Sequence, residues 1–255
     1  MNEGLPDLDI MGIKVRAATA PEAVAFLDRH LDGSAPPLKL AYLNAHTSNL
    51  AASNPAFTET LTRFVVLNDG IGVDIAARLL HAKRFPANLN GTDFTVRYLA
   101  ETRHTLRLYL IGSQDGVAAQ AAEHLAQLAP RHTIVGTQHG YFAPERGDEV
   151  LAALRQAQPD LVLVAFGNPA QEFWIDQHAE ATGARLLIGV GALFDFLSGR
   201  VSRAPQWVRD ARFEWAYRLA LEPRRLARRY LAGNPYFLAR VLRSRLSRGR
   251  PVRHS

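Results

Sequence analysis

The chain has 255 residues, room for one large α/β domain or two small ones, and its 47% apolar content supplies a sizeable core. With 21% charged residues it is too apolar to be disordered, and with no cysteine it has no disulfides, thiolate metal sites or cysteine nucleophiles. The net charge of +6 is unevenly spread: residues 1–199 hold 15 Lys and Arg against 21 Asp and Glu, a net of −6, whereas residues 200–255 hold 15 Arg against 3 acidic residues, a net of +12.

From the N-terminus, MNEGLPDLDIMGIKV is acidic and lacks the basic-then-apolar order of a signal peptide. No stretch approaches the ~20 apolar residues that a bilayer span needs. A cytoplasmic protein is therefore expected. Asp7-Leu8-Asp9 is a D-x-D triplet, but it precedes the first core strand and reads as surface.

Short aliphatic runs then alternate with Ala-rich amphipathic stretches. Strands are expected at 38–43, 64–67, 106–111, 133–137, 161–166 and 185–190, and helices at 21–31, 50–61, 72–80, 116–128, 145–156 and 170–182. This order predicts a Rossmann-like, mostly parallel sheet flanked by helices over residues 1–204, with a basic helical appendage over 205–255. Such sheets bind ligands at the carboxyl ends of their strands. The unusual sequences fall there.

The first strand ends in Asn44, a candidate for bonding a sugar or base, with Thr47 or Ser48 expected to cap the next helix. The second ends in Asn68-Asp69-Gly70-Ile71-Gly72, a tight turn that lets backbone approach a ligand and sets Asp69 at the cleft as a general base or, equally, as a turn and cap residue. The segment 85–94 carries Asn88, Asn90, Gly91 and Asp93; Asn90-Gly91 marks a turn, and Thr92 or Asp93 starts a helix. Gly112 opens a strand–turn–helix junction suited to an anion, but G-x-G-x-x-G is absent. His139 follows the next strand as a substrate contact or a structural histidine. Asn168 and Gln171 flank Pro169 at a helix start, with Glu172 in the same first turn, and Gly191 lies in a second glycine turn. No metal-site spacing, P-loop or G-x-S-x-G is present.

In order, NDGIG, NGTDF, GT-x-HGYF, FGNPAQEFW, GVGALFDFLSG and RAPQWVRDARFEWAYRLALEPRRLARRY resemble the WecG/TagA/CpsF glycosyltransferases, from about residue 9 to 230. The resemblance implies a metal-independent, inverting transfer without cofactor from a UDP-sugar, a co-substrate, to an undecaprenyl-diphosphate-linked acceptor. It assigns the base to Asp69 and stabilisation of the diphosphate leaving group to Arg218, Arg225 and Arg228; guanidinium forks suit phosphate oxygens. Members using UDP-N-acetylmannosamine read T-P-N-A-E and R-V-A-G where this chain has Tyr42-Leu43-Asn44-Ala45-His46 and Asn88-Leu89-Asn90-Gly91. NDGIGVDIAARL and NLNGTDF look more like the exopolysaccharide branch with its xanthan-type glucosyltransferases, so UDP-glucose is the expected donor, with UDP-N-acetylmannosamine or UDP-glucuronic acid as alternatives.

Beyond residue 230, Tyr236, Phe237, Leu238, Val241, Leu242 and Leu246 alternate with Arg240, Arg243, Arg245 and Arg248. Such a basic amphipathic stretch is expected to rest on the anionic inner leaflet of the membrane; packing on the body or on a second subunit, in a homo-oligomer, is the other reading. A body freed of everything after about residue 205 is expected to fold alone. Two competing classes are a nucleotide-dependent oxidoreductase, against which the missing fingerprint counts, and a nucleic-acid-binding protein, which leaves the cleft motifs without a task; no nucleic-acid partner is expected.

Overall fold

The computed structural model describes residues 5–205, 207–208 and 214–248, with Pro144, Glu214, Arg218, Arg225 and Arg248 described by backbone alone. Among the described residues, eight strands form one sheet: β1 (Asp7–Ile10), β2 (Ile13–Arg16), β3 (Leu38–Leu43), β4 (Val65–Asn68), β5 (Arg107–Gly112), β6 (Thr133–Gln138), β7 (Leu161–Ala165) and β8 (Leu186–Gly189). Their spatial order is β1-β2-β4-β3-β8-β7-β5-β6. The strands from β2 onward are parallel to their neighbours, and only β1 runs antiparallel.

The helices are α1 (Ala20–Asp32), α2 (Ala45–Ser53), α3 (Pro55–Leu61), α4 (Ile71–His81), α5 (Gly91–Glu101), α6 (Val117–Leu128), α7 (Gly147–Ala157), α8 (Ala170–Thr182), α9 (Leu193–Leu197), α10 (Glu214–Leu221), α11 (Pro223–Ala227) and α12 (Gly233–Arg248). Alternate strand residues feed two separate cores. Leu40, Leu108, Leu161 and Leu163 pack with α1, α5, α6 and α9 on one face. Ala41, Leu43, Val162 and Val164 pack with α2, α3, α4, α7 and α8 on the other. Burial of both faces explains why the central strands read as unbroken apolar runs.

The expected α/β class is observed, with two local differences. Asp7 and Asp9 lie on a strand of the sheet: β1 and β2 form an edge hairpin through Met11 and Gly12, both at positive φ. Asp7 pairs with Arg16 at 2.6 Å, and Asp9 Oδ1 accepts from Gly12 N at 2.9 Å. Charged residues at alternate positions of DLDI and IKVR break the apolar run that marks the equally short β4 and β8. The helix expected over 50–61 is two, because Asn54 ends α2 and caps α3 through Phe57 N, with Pro55 as the first residue of α3.

The tail differs more. Helix α12 crosses α2 and α4, and Phe237 and Val241, expected either at a membrane surface or packed on the body, are fully buried in the second core, as the second reading has it. Arg240 Nη1 donates to Ser48 O at 3.1 Å and Asn49 Oδ1 at 3.0 Å, while Asn49 Nδ2 donates to Gly233 O at 2.8 Å. Arg240 therefore serves as a clamp on the body instead of a free cation for a leaflet. An amphipathic pattern reports that a face is covered, and its periodicity is the same whether lipid or protein covers it.

Replacing Phe237 by Ala should cost about 3–5 kcal/mol, the range for emptying a buried aromatic site, read as a lower urea midpoint. Removal of residues 233–255 should destabilise the body similarly. An unchanged midpoint in both variants would contradict the packing of α12.

Candidate active site

Strand β7 leads back to β8 while β5 leads outward to β6, so the connections diverge between β7 and β5 and open a crevice at their carboxyl ends. On the same edge, β3 and β4 deliver Asn44 and Asp69. Neighbouring strands lie about 4.8 Å apart, so the four steps from β4 to β5 cover about 19 Å. The candidate site runs along this edge.

Asn44 does two things. Its Oδ1 accepts from Thr47 N at 3.0 Å and from Thr47 Oγ1 at 3.2 Å, which makes Asn44 itself, not Thr47 or Ser48, the cap of α2. Its Nδ2 then points the other way and donates to Asp69 Oδ2 at 2.9 Å. Asp69 N donates to Leu43 O at 2.8 Å, so the half-buried carboxylate sits at the end of the β3–β4 ladder. Helix α4 starts after Gly70, at φ +88°, without any side-chain cap; Asp69 is therefore not the capping residue that its sequence also allowed.

The loop over 85–90 supports this base from below. Asn68, fully buried, donates through Nδ2 to Ala87 O at 2.8 Å, and Asn88 Oδ1 accepts from Gly70 N at 2.9 Å. Asn90 caps α5 by accepting from Asp93 N at 2.9 Å, so the helix begins one residue before the expected Thr92. A Cβ at Gly91 would stand 2.9 Å from the Tyr42 ring, which lets α5 close on β3. Asp93 pairs with Arg203 and tethers the segment that leaves the body. Of this group, Asn68, Asn90 and Gly91 hold the scaffold, and Asn88 holds the turn beside Asp69.

At the crevice, Gly112 has φ +132°, and a Cβ there would fall 2.5 Å from the Ala165 carbonyl; only glycine lets β5 and β7 end this close. The next residue, Ser113, donates through Oγ to Asp195 Oδ1 at 2.9 Å. Ser113, Gln114, Tyr141, Asp195, Arg200, Val201 and Glu222 line a cavity of about 140 Å³. Neither Ser113 nor Asp195 stands out in the sequence, because they meet only through the fold. His139 faces its own turn, its Nδ1 accepting from Tyr141 N at 3.2 Å.

Beyond β7, Asn168 and Gln171 both donate to Glu172 Oε1, and Gln171 Oε1 accepts from Gly191 N, beyond β8, at 3.1 Å. Gln171 is buried and holds the Gly191 turn. Glu172 is fully buried, and burial pushes its carboxyl up to about 7. Its place in the first turn of α8 was visible in the sequence; its burial was not.

The tail reaches the edge as well. Glu222 borders the crevice cavity, and Arg228 is exposed on the turn before α12. The side chains of Arg218 and Arg225, on α10 and α11, lie outside the described residues. Arg229, which the sequence did not single out, lies close enough to His46 to oppose its protonation; burial first and Arg229 second lower the imidazole to about 4 and keep it neutral. Among the described residues no cluster of three or more His, Asp or Glu side chains could hold a metal ion.

Residues 8–251 match the glycosyl transferase WecG/TagA/CpsF family. An N-acetylglucosaminyldiphosphoundecaprenol N-acetyl-beta-D-mannosaminyltransferase of Bacillus spizizenii is 30% identical over 203 residues, 79% of this chain and 77% of the relative. One of the same description from Bacillus subtilis is 34% identical over 166 residues, 64% of this chain and 63% of the relative.

Glu172 gives the site a stability signature. Its folded carboxyl keeps a proton to about pH 7, whereas its ordinary value is 4.5. The folded state therefore binds more protons between these values, and the stability from this group is lost as pH rises from about 4.5 through 7. Glu172→Gln removes that slope. The melting temperature of the wild type relative to this variant should fall between pH 5 and 8; a constant difference would contradict the buried carboxyl.

Proposed function

Because the chain belongs to the WecG/TagA/CpsF glycosyltransferase family, we propose that Asp69 is the general base of an inverting transfer from a UDP-sugar to an undecaprenyl-diphosphate-linked acceptor. The observation that carries this reading is the Asn44–Asp69 hydrogen bond at 2.9 Å. It restrains a carboxylate at a strand end without burying it. Inversion requires one base to remove the acceptor hydroxyl proton as the oxygen attacks the anomeric carbon from the face opposite the leaving diphosphate.

The edge suits an extended donor. Its sugar end lies near β4, and its nucleoside near the polar cavity at β5. At the two ends α4 and α6, and between them α8, begin without side-chain caps, leaving backbone N–H groups for a diphosphate. We assign charge stabilisation to the tail arginines Arg218, Arg225 and Arg228, which would let the leaving group depart without a metal ion or cofactor.

The relatives' names favour N-acetylmannosamine as the sugar over the glucose expected from sequence. Their names also support an N-acetylglucosaminyl-diphosphoundecaprenol acceptor. Tyr42, which stands where the N-acetylmannosamine-using members read Thr, is buried with its hydroxyl 3.3 Å from Thr95 Oγ1 and lies in the core. Glucose remains the second reading on the strength of His46 and Asn88, which do lie at the edge. No described helix is long and apolar enough to cross a membrane. Leu242, Arg243, Arg245 and Leu246 are exposed on α12, and we place this remaining outer surface against the anionic leaflet that holds the acceptor.

Asp69→Asn preserves an acceptor for Asn44 Nδ2 and removes the base. Acceptor-dependent UDP release should drop about 10²–10⁴-fold with donor affinity unchanged; full turnover would overturn the assignment. Parallel assays with UDP-N-acetylmannosamine, UDP-glucose and UDP-glucuronic acid identify the donor, and fastest release from the first is expected.

A further inference from the structure

Glu172 is a buried acid that the reaction above leaves without a task. We infer that it is a positioning residue for donor recognition: through one carboxylate oxygen it turns the Asn168 amide so that Asn168 Oδ1 faces the β5–β7 crevice as an acceptor for a hydroxyl of the nucleotide sugar. The inference rests on the glycosyltransferase reading and adds a specific contact to it.

Hydrogen-bond polarity sets the orientation of both amides. A side-chain amide has a donor end and an acceptor end, and what one end meets decides what the other presents. Asn168 Nδ2 and Gln171 Nε2 converge on the same atom, Glu172 Oε1, the second at 2.8 Å. An oxygen that accepts twice fixes both amides in one sense. Gln171 then uses its acceptor on Gly191 N at 3.1 Å. Asn168 differs: its Oδ1 has no partner among the described residues, and the side chain is half-buried just beyond β7, at the crevice.

Protonation does not undo this arrangement. Glu172 Oε2 is buried without a partner, so a proton taken up by the carboxyl belongs there and leaves Oε1 accepting. Packing alone gives no reason for a carboxyl at this position. An apolar side chain of similar volume would avoid the cost of desolvating it. What the carboxyl supplies, and an apolar group cannot, is a fixed direction for two amides.

The test compares Glu172→Met, Glu172→Gln and Asn168→Ala in the full chain, with titration calorimetry using UDP-N-acetylmannosamine, UDP-glucose and UDP. Glu172→Met leaves the buried Gln171 Nε2 without an acceptor, so its melting temperature should fall, and it should bind the UDP-sugar about tenfold more weakly, the scale of one lost hydrogen bond. Glu172→Gln, which retains an acceptor oxygen, should bind like the wild type. Asn168→Ala should show the same loss as Glu172→Met, and the double variant no further loss. Loss confined to the UDP-sugars identifies a sugar hydroxyl as the contact; equal loss for UDP identifies a ribose hydroxyl.

Wild-type affinity in Glu172→Met, equal losses in the Gln and Met variants, or additive losses in the double variant would overturn the inference. If Glu172→Met does not fold, wild-type affinity in Asn168→Ala overturns it alone. A wild-type protein that binds no UDP-sugar would overturn the donor reading together with this inference, whereas the outcomes above leave that reading standing.

Discussion

A parallel sheet covered on both faces has only its edges and ends in contact with water, and this constraint shapes the rest of the molecule. Apolar side chains on alternate residues of the strands fill two cores, one under α1, α5, α6 and α9 and the other under α2, α3, α4, α7 and α8. Polar side chains that chemistry needs have nowhere to go but the carboxyl ends of the strands. Asn44, Asp69, Ser113, Asn168 and Gly191 all follow strands of that sheet. Chemistry is gathered in one line because burial forbids it elsewhere.

Along that line, side-chain amides rather than ions orient the groups. Asn44 caps a helix with one end and steadies Asp69 with the other. Asn88 secures the turn after Asp69, and Gln171 secures the turn after β8. An amide can satisfy a donor and an acceptor together without placing a charge in the interior, which explains its repeated use. The two acids fare differently. Asp69 is partly solvated and bonded by a donor, while Glu172 is enclosed and its carboxyl pushed up to about 7. One environment suits a base; the other suits a fixed support.

Much of the fold and part of the site were legible in the residues themselves. The apolar runs from Leu38 to Val190 gave six strands, and the family motifs marked the strand ends. What sequence could not separate was a polar residue that faces a ligand from one that holds a turn. Asn44, Asn68, Asn90 and Gln171 read alike, and only the fold shows that Asn44 turns its amide to Asp69 while the others bond a loop carbonyl, a helix start and Glu172. The Ser113–Asp195 pair joins residues 82 positions apart and exists only through the fold. Likewise, Phe237 and Val241 have the periodicity of a surface-seeking helix, and the covering surface is the protein's own. The equally short β4 and β8 are unbroken apolar runs, whereas β1 and β2 carry charged residues at alternate positions and so give no run to read.

The central claim is that the donor lies along the carboxyl edge with its reactive carbon at Asp69. A structure of the complex with a UDP-sugar tests it most directly. The account predicts the anomeric carbon beside the Asp69 carboxylate and the nucleoside in the cavity lined by Ser113 and Asp195. A donor bound with its sugar at β5 or β6, away from Asp69, would contradict it.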